Sequence, residues 1–329
     1  MSPNSLLPII GTILYIPWVF AAPIQAGPVA VGVSLSETSI VAGQPVDIVF
    51  VIQNTGTATI AVSLYNNFQY SKDMLILALQ NKRGEVIKLE KRDLLAYPAR
   101  QTRIITATLS PGEKVLGTYP LHLQYSTDLS PGAYKIVVEK VHLTGSIAGV
   151  QKDLDLETPI PPIDLAVRPA DSKVLHEVYA SLLRSSLDKY NEANATWNGI
   201  GRQDFLIPPC IKALLWAWVK AAVPYQVDYI FPQDAYPRAW ETSTVHAYQN
   251  IVQFGDMASV QRLVKVALDP NFHYDLAKGR YSDPGLVWAL QQFHAEGNSD
   301  IVAITQPVID RFPKAIDIKR AVESAIYWD

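Results

Sequence analysis

The stretch IDLAVRPADSKVLHEVYASLL, residues 163–183, decides the fold, because the chain changes period inside it. Asp164 to Val167 reads as a last extended piece, and Pro169 closes it by removing a backbone donor. From Asp171 or Ser172, either able to cap a helix, the apolar positions Val174, Leu175, Val178, Tyr179 and Leu182 follow a 3.6-residue period. Upstream, short β-branched runs are punctuated by turn residues. Downstream, helical periods continue to the end. The expected class is therefore multidomain, β then α, with a boundary near Pro169 to Asp171.

Composition agrees with two packed units. The chain has 329 residues, 49% hydrophobic and 18% charged, which excludes a disordered polymer and suits two cores. With 28 basic and 31 acidic side chains the net charge is -3, and no basic stripe stands out. Nucleic acid is not an expected partner.

Leu6 to Ala22 is the one long apolar run, interrupted by Pro8, Gly11 and Pro17. Small residues follow it, with A-x-A-like ends at Ala26 before Gly27 or at Ala21 before Ala22. This is the layout of a secretory signal peptide, although Met1 to Ser5 lacks a basic residue and the first one is Lys72. Residues 1–26 are assigned to the signal, an uncleaved anchor being the alternative. A secreted or periplasmic location is expected, with no integral membrane span after cleavage. Cys210 is the only cysteine, so no intrachain disulfide forms.

Residues 27–169 read as a β-sandwich with a proline-rich connector. Strands are expected at Val29 to Leu35, Val46 to Gln53, Ala61 to Tyr65, Met74 to Leu79, Val86 to Leu89, Arg103 to Leu109, Thr118 to Leu123 and Ala133 to His142, arranged as two antiparallel sheets. Asn81-Lys82-Arg83-Gly84 is a hairpin turn. Two copies of Leu-Ser-Pro-Gly, Leu109–Gly112 and Leu129–Gly132, are tight turns. With Ala42-Gly43-Gln44-Pro45, Asn54-Thr55-Gly56 and Pro131-Gly132-Ala133-Tyr134, the pattern resembles bacterial immunoglobulin-like modules, and in particular intracellular-proteinase-inhibitor-like domains. The resemblance covers roughly residues 29 to 145 and implies an immunoglobulin-like sandwich; such modules serve adhesion, spacing, inhibition and carbohydrate contact alike. Thr158 to Pro162, with three prolines, is an extended connector.

Residues 170–329 read as helical. A helix is expected over Ile211 to Ala222 and a terminal one over Lys314 to Tyr327. An internal repeat stands between them. Offset by 42 residues, Val245, Ala247, Gln249, Gly255, Val260 and Val266 match Val287, Ala289, Gln291, Gly297, Val302 and Val308. Each copy is helix, glycine turn, helix, as in HEAT-like or armadillo-like α-solenoids, an irregular helical bundle being the alternative. Three stretches read as long irregular connections rich in aromatics: Asn191 to Pro209, Val223 to Trp240 and Asp269 to Gly285. They supply the candidate partner-binding residues Trp197, Tyr225, Tyr229, Phe231, Tyr236, Phe272, His273, Tyr274, Arg280 and Tyr281. The competing reading has the same rings closing the ends of the helical core.

Catalytic patterns are not found. The histidines at 122, 142, 176, 246, 273 and 294 lack metal-ligand spacing, and neither a nucleophile elbow nor a phosphate-binding glycine loop occurs. No cofactor or metal is expected. Paired carboxylates such as Glu241 and Asp256 cannot be chosen from spacing. The expectation is a non-catalytic binding or scaffolding protein that recognises a protein partner through its helical domain. A proteinase inhibitor acting through a sandwich loop such as Tyr65 to Ser71 is the first alternative, and a glycan-binding or glycan-active protein the second.

Overall fold

Period-2 sequence in the first half forms strands and period-3.6 sequence in the second forms helices. The computed structural model describes residues 24–26, 28–65, 75–87, 104–121, 129–147, 150–153, 160–195, 209–231, 244–270 and 284–318. The strands are β1 (Ile24–Ala26), β2 (Val29–Leu35), β3 (Ser39–Val41), β4 (Asp47–Asn54), β5 (Ile60–Tyr65), β6 (Leu75–Asn81), β7 (Ile104–Leu109), β8 (Lys114–Pro120), β9 (Gly132–Val141), β10 (Thr144–Ile147), β11 (Val150–Asp153) and β12 (Ile163–Arg168). They form three four-stranded sheets, β1-β2-β4-β8, β11-β10-β5-β7 and β3-β12-β9-β6. All three contribute to one core, with Val31, Ile48 and Ile52 from the first, Ile60 and Val62 from the second, and Leu79, Ile136 and Leu165 from the third.

Two antiparallel sheets were expected; the described residues form three, and one pairing is parallel. Ala166, Val167 and Arg168 of β12 run beside Ser39, Ile40 and Val41 of β3 in the same direction. A three-residue strand carries too little pattern to be read, and its partner lies far along the chain.

In β9, Tyr134, Ile136 and Val138 alternate inward as the pattern requires. The phase then breaks, because the register against β6 shifts between Ile76 and Leu77. Leu77 pairs with Val138 and Ile76 with Lys140, leaving Glu139 as the extra residue of a bulge and returning Val141 to the core. The Asn81 to Gly84 turn is present, with Gly84 at φ 80°, but Val86 makes only an isolated bridge to Gln80. Ile24–Ala26, within the segment assigned to the signal, pairs antiparallel with Val29–Val31.

The helices are α1 (Ser172–Ala195), α2 (Pro209–Leu215), α3 (Val223–Ile230), α4 (Thr244–Phe254), α5 (Met257–Ala267), α6 (Pro284–Glu296) and α7 (Ser299–Arg311), with a 3-10 turn at Lys220–Ala222. The single helix expected over Ile211 to Ala222 is broken after Leu215. Gln226, fully buried on α3, explains the break: its Nε2 donates to the carbonyls of Leu214 and Ala217, each at 3.0 Å. Asn250 of α4 donates to Gln226 Oε1 at 2.7 Å and to the Val219 carbonyl at 3.2 Å. Two buried amides thus take the carbonyls a continuous helix would have satisfied. Of the expected last helix, residues 314–317 are not helical, Ile318 is, and 319–327 lie outside the described residues.

The repeat is visible as two helix pairs, α4/α5 and α6/α7. Val245, Ala247, Tyr248 and Ile251 are buried at the positions where Val287, Ala289, Leu290 and Phe293 are buried. Gly255 and Gly297 end the first helix of each pair by accepting a close approach. A Cβ on either would stand 2.4 Å from the carbonyl oxygen of Ile251 or Phe293. The next residue caps the second helix: Asp256 accepts from Ser259 N–H, and Asn298 from the N–H groups of Asp300 and Ile301. α4 packs on α6 and α5 on α7.

The two halves share apolar packing. Val41 of β3 belongs to the helical core, and α2 packs against β8. Gly43, at φ 87°, brings the turn after β3 under Leu175 and Val219, whose methyl groups would lie 3.6–3.7 Å from a Cβ there. Tyr179, 1% exposed, donates its hydroxyl to the Gly43 carbonyl at 2.8 Å. The parallel β3–β12 pairing makes this docking possible, because it sets the start of α1 beside that turn.

Candidate partner-binding surface

Helix packing leaves a narrow stripe of α4 and α6 toward solvent. On α4 the residues just described, with Asn250, point inward, and Gln249, half-buried, and Gln253, exposed, lie on the other side. On α6 the corresponding stripe is Trp288, Gln291, Gln292 and Ala295. Gln291 is occupied. Its Nε2 donates to the carbonyls of Lys314 at 2.8 Å and Phe312 at 3.2 Å, while its Oε1 accepts the Ile316 N–H at 2.9 Å. The segment after α7 is thereby held against α6. Phe312 and Ile316 pack against the helical core, and the Arg311 guanidinium lies over the Phe312 ring at 5.2 Å. Arg311 also caps α5, donating to the carbonyls of Ala267 and Asp269.

A second cluster joins α1, α3 and the sandwich. Tyr225 stacks on Tyr179, with centroids 5.9 Å apart, and pairs its hydroxyl with Nδ1 of the exposed His176. Burial, and secondarily the Asp228 carboxylate, push the Tyr225 phenol above its ordinary value. Asp228 pairs with Arg262 of α5, which also donates to the Phe231 carbonyl at 2.5 Å.

Of the candidate anchors read from sequence, Tyr225, Tyr229 and Phe231 fall in described residues. They are not in an irregular connection: Val223–Ile230 is α3, with Pro224 in its first turn. Tyr229 and Phe231 are buried in the helical core, and Tyr225 is half-buried between α1 and α3. These three rings therefore close the core and do not form a loop surface. Trp197, Tyr236, Phe272, His273, Tyr274, Arg280 and Tyr281 lie outside the described residues. So do Glu241 and residues 66–71 of the loop considered for an inhibitor.

Asp256 is a helix cap. Ser259 donates to it from both backbone N–H and hydroxyl, and these bonds hold its carboxyl below the ordinary carboxylate value. His246 stands edge-on to Trp216 at 5.6 Å, and His294 Nδ1 pairs with Thr305 Oγ1 at 3.0 Å. Among the described residues no group of three or more His, Cys, Asp and Glu side chains converges to hold a metal ion. No helix of the described residues is long and apolar enough to cross a membrane. Gln249 and Gln291 were not among the sequence candidates as site residues, although the 42-residue repeat aligns them.

No protein-family description and no curated protein sequence matches this chain. Solved structures are similar to parts of it. The ApaA protein from Bordetella pertussis is 17% identical, with 42% of this chain and 93% of that one covered at a TM-score of 0.24. A CARDB domain from Pyrococcus furiosus, in complex with di-metal ions, is 13% identical, with 45% and 100% covered at a TM-score of 0.20. Salmonella alpha-2-macroglobulin is 12% identical, with 92% of this chain and 27% of that one covered at a TM-score of 0.22.

Proposed function

We propose that this chain is a non-catalytic binding or scaffolding protein of the cell envelope or extracellular space. In this reading the β-rich half is an immunoglobulin-like sandwich and the helical half a short HEAT-like array. The tyrosine geometry supports the first assignment: Tyr134 is buried and donates its hydroxyl to the Ser130 carbonyl at 2.6 Å, a tyrosine-corner arrangement. Repeated helix pairs stacked first on first and second on second support the other.

The observation that carries the proposal is the shared core at Gly43. A hydrogen bond from Tyr179, apolar contacts from Leu175 and Val219, and Val41 within the helical core hold the two halves in one orientation. A fixed platform presents a partner with a pre-organised surface and lowers the ordering cost of binding. A protein partner meeting the open stripe of α4 and α6 is the occupant we favour.

The test uses immobilised full chain against envelope and secreted extracts, beside a Gln253→Lys/Ala295→Lys variant altered on that stripe. Both positions are exposed, so folding should be unaffected. A captured protein that the variant no longer retains supports the proposal. Equal capture by both baits, or turnover of an extract polysaccharide by the purified chain, would overturn it.

A further inference from the structure

We draw no further inference here: the strongest candidate, the outer face of strands β2 and β4, where Ala30, Ser34 and Val49 are buried although they alternate with the residues of the sandwich core, carries nothing because nothing in the structure shows what covers it.

Discussion

Replacing Tyr179 with Phe tests whether the two halves form one cooperative unit. The substitution keeps the ring, which is 1% exposed and stacked on Tyr225, and removes only the hydroxyl that donates to Gly43. A net hydrogen bond is worth about 1 kcal/mol, and a carbonyl left dry costs about 1–3 kcal/mol. Leu175 and Val219 lie in van der Waals contact with the Gly43 site, which is only partly open to water, and this favours the middle of that range. We expect a loss of about 2 kcal/mol, a large share of an ordinary total of about 5–15 kcal/mol. With a urea slope of about 3 kcal/mol/M the midpoint should fall by about 0.7 M. Tryptophan fluorescence reports the helical half, because every tryptophan except Trp18 lies beyond residue 170. Circular dichroism reports both halves. In the parent protein the two transitions should coincide, and in Tyr179→Phe they should move together. A midpoint shift under about 0.1 M, or two separated transitions in the parent, would refute the shared-core argument.

Further expectations follow from single residues. Gln226→Leu leaves the Ala217 carbonyl without its side-chain donor, leaves the Leu214 carbonyl only the long Ala217 N–H contact, and takes an acceptor from Asn250, so a loss of about 3 kcal/mol should appear in urea unfolding. Gly297→Ala forces a Cβ against the Phe293 carbonyl and the Ile301 side chain, and Gly255→Ala forces one against the Ile251 carbonyl. Each should cost about 2 kcal/mol by thermal unfolding, where an open helix end would tolerate the change. Asp256 is held below its ordinary carboxyl value of 3.8 by Ser259. Its folded value is the lower one, so its contribution is present above pH 3.8 and is lost as pH falls below it. Asp256→Asn should match the parent at pH 7 within about 0.5 kcal/mol yet lose that acid-dependent part, whereas Asp256→Ala should lose about 1 kcal/mol at pH 7. Melting curves between pH 2.5 and pH 7 separate the two.

Local chemistry is legible in the sequence alone. A β-branched run locates β2, alternation locates most of β9, glycine marks the Asn81 to Gly84 turn, and the change of period after Arg168 marks the passage from strands to helices. The 42-residue offset locates both helix pairs, because buried positions and close-approach glycines recur whenever the same packing recurs. These features depend on neighbours within one or two turns of chain, so a window of sequence contains their causes.

The remainder depends on partners distant in sequence. Nothing near Ser39 announces that it pairs with Ala166, and nothing near Ile211 announces that Gln226 and Asn250 take the carbonyls where that helix breaks. Aromatic richness over Val223 to Trp240 suggests an exposed connection, yet the first eight residues form a helix whose Tyr229 serves the core. Composition reports how much apolar surface a segment carries and not which way it faces. Gln291 shows the same limit at the candidate site. Its alignment with Gln249 is written in the sequence, but its hold on Lys314 and Ile316 exists only once α6 and the segment after α7 are packed together. Periodicity therefore determined which elements form and which of their faces are apolar. Tertiary packing decided which polar groups meet, because a hydrogen bond between distant residues depends on the position of both partners and no local pattern specifies that.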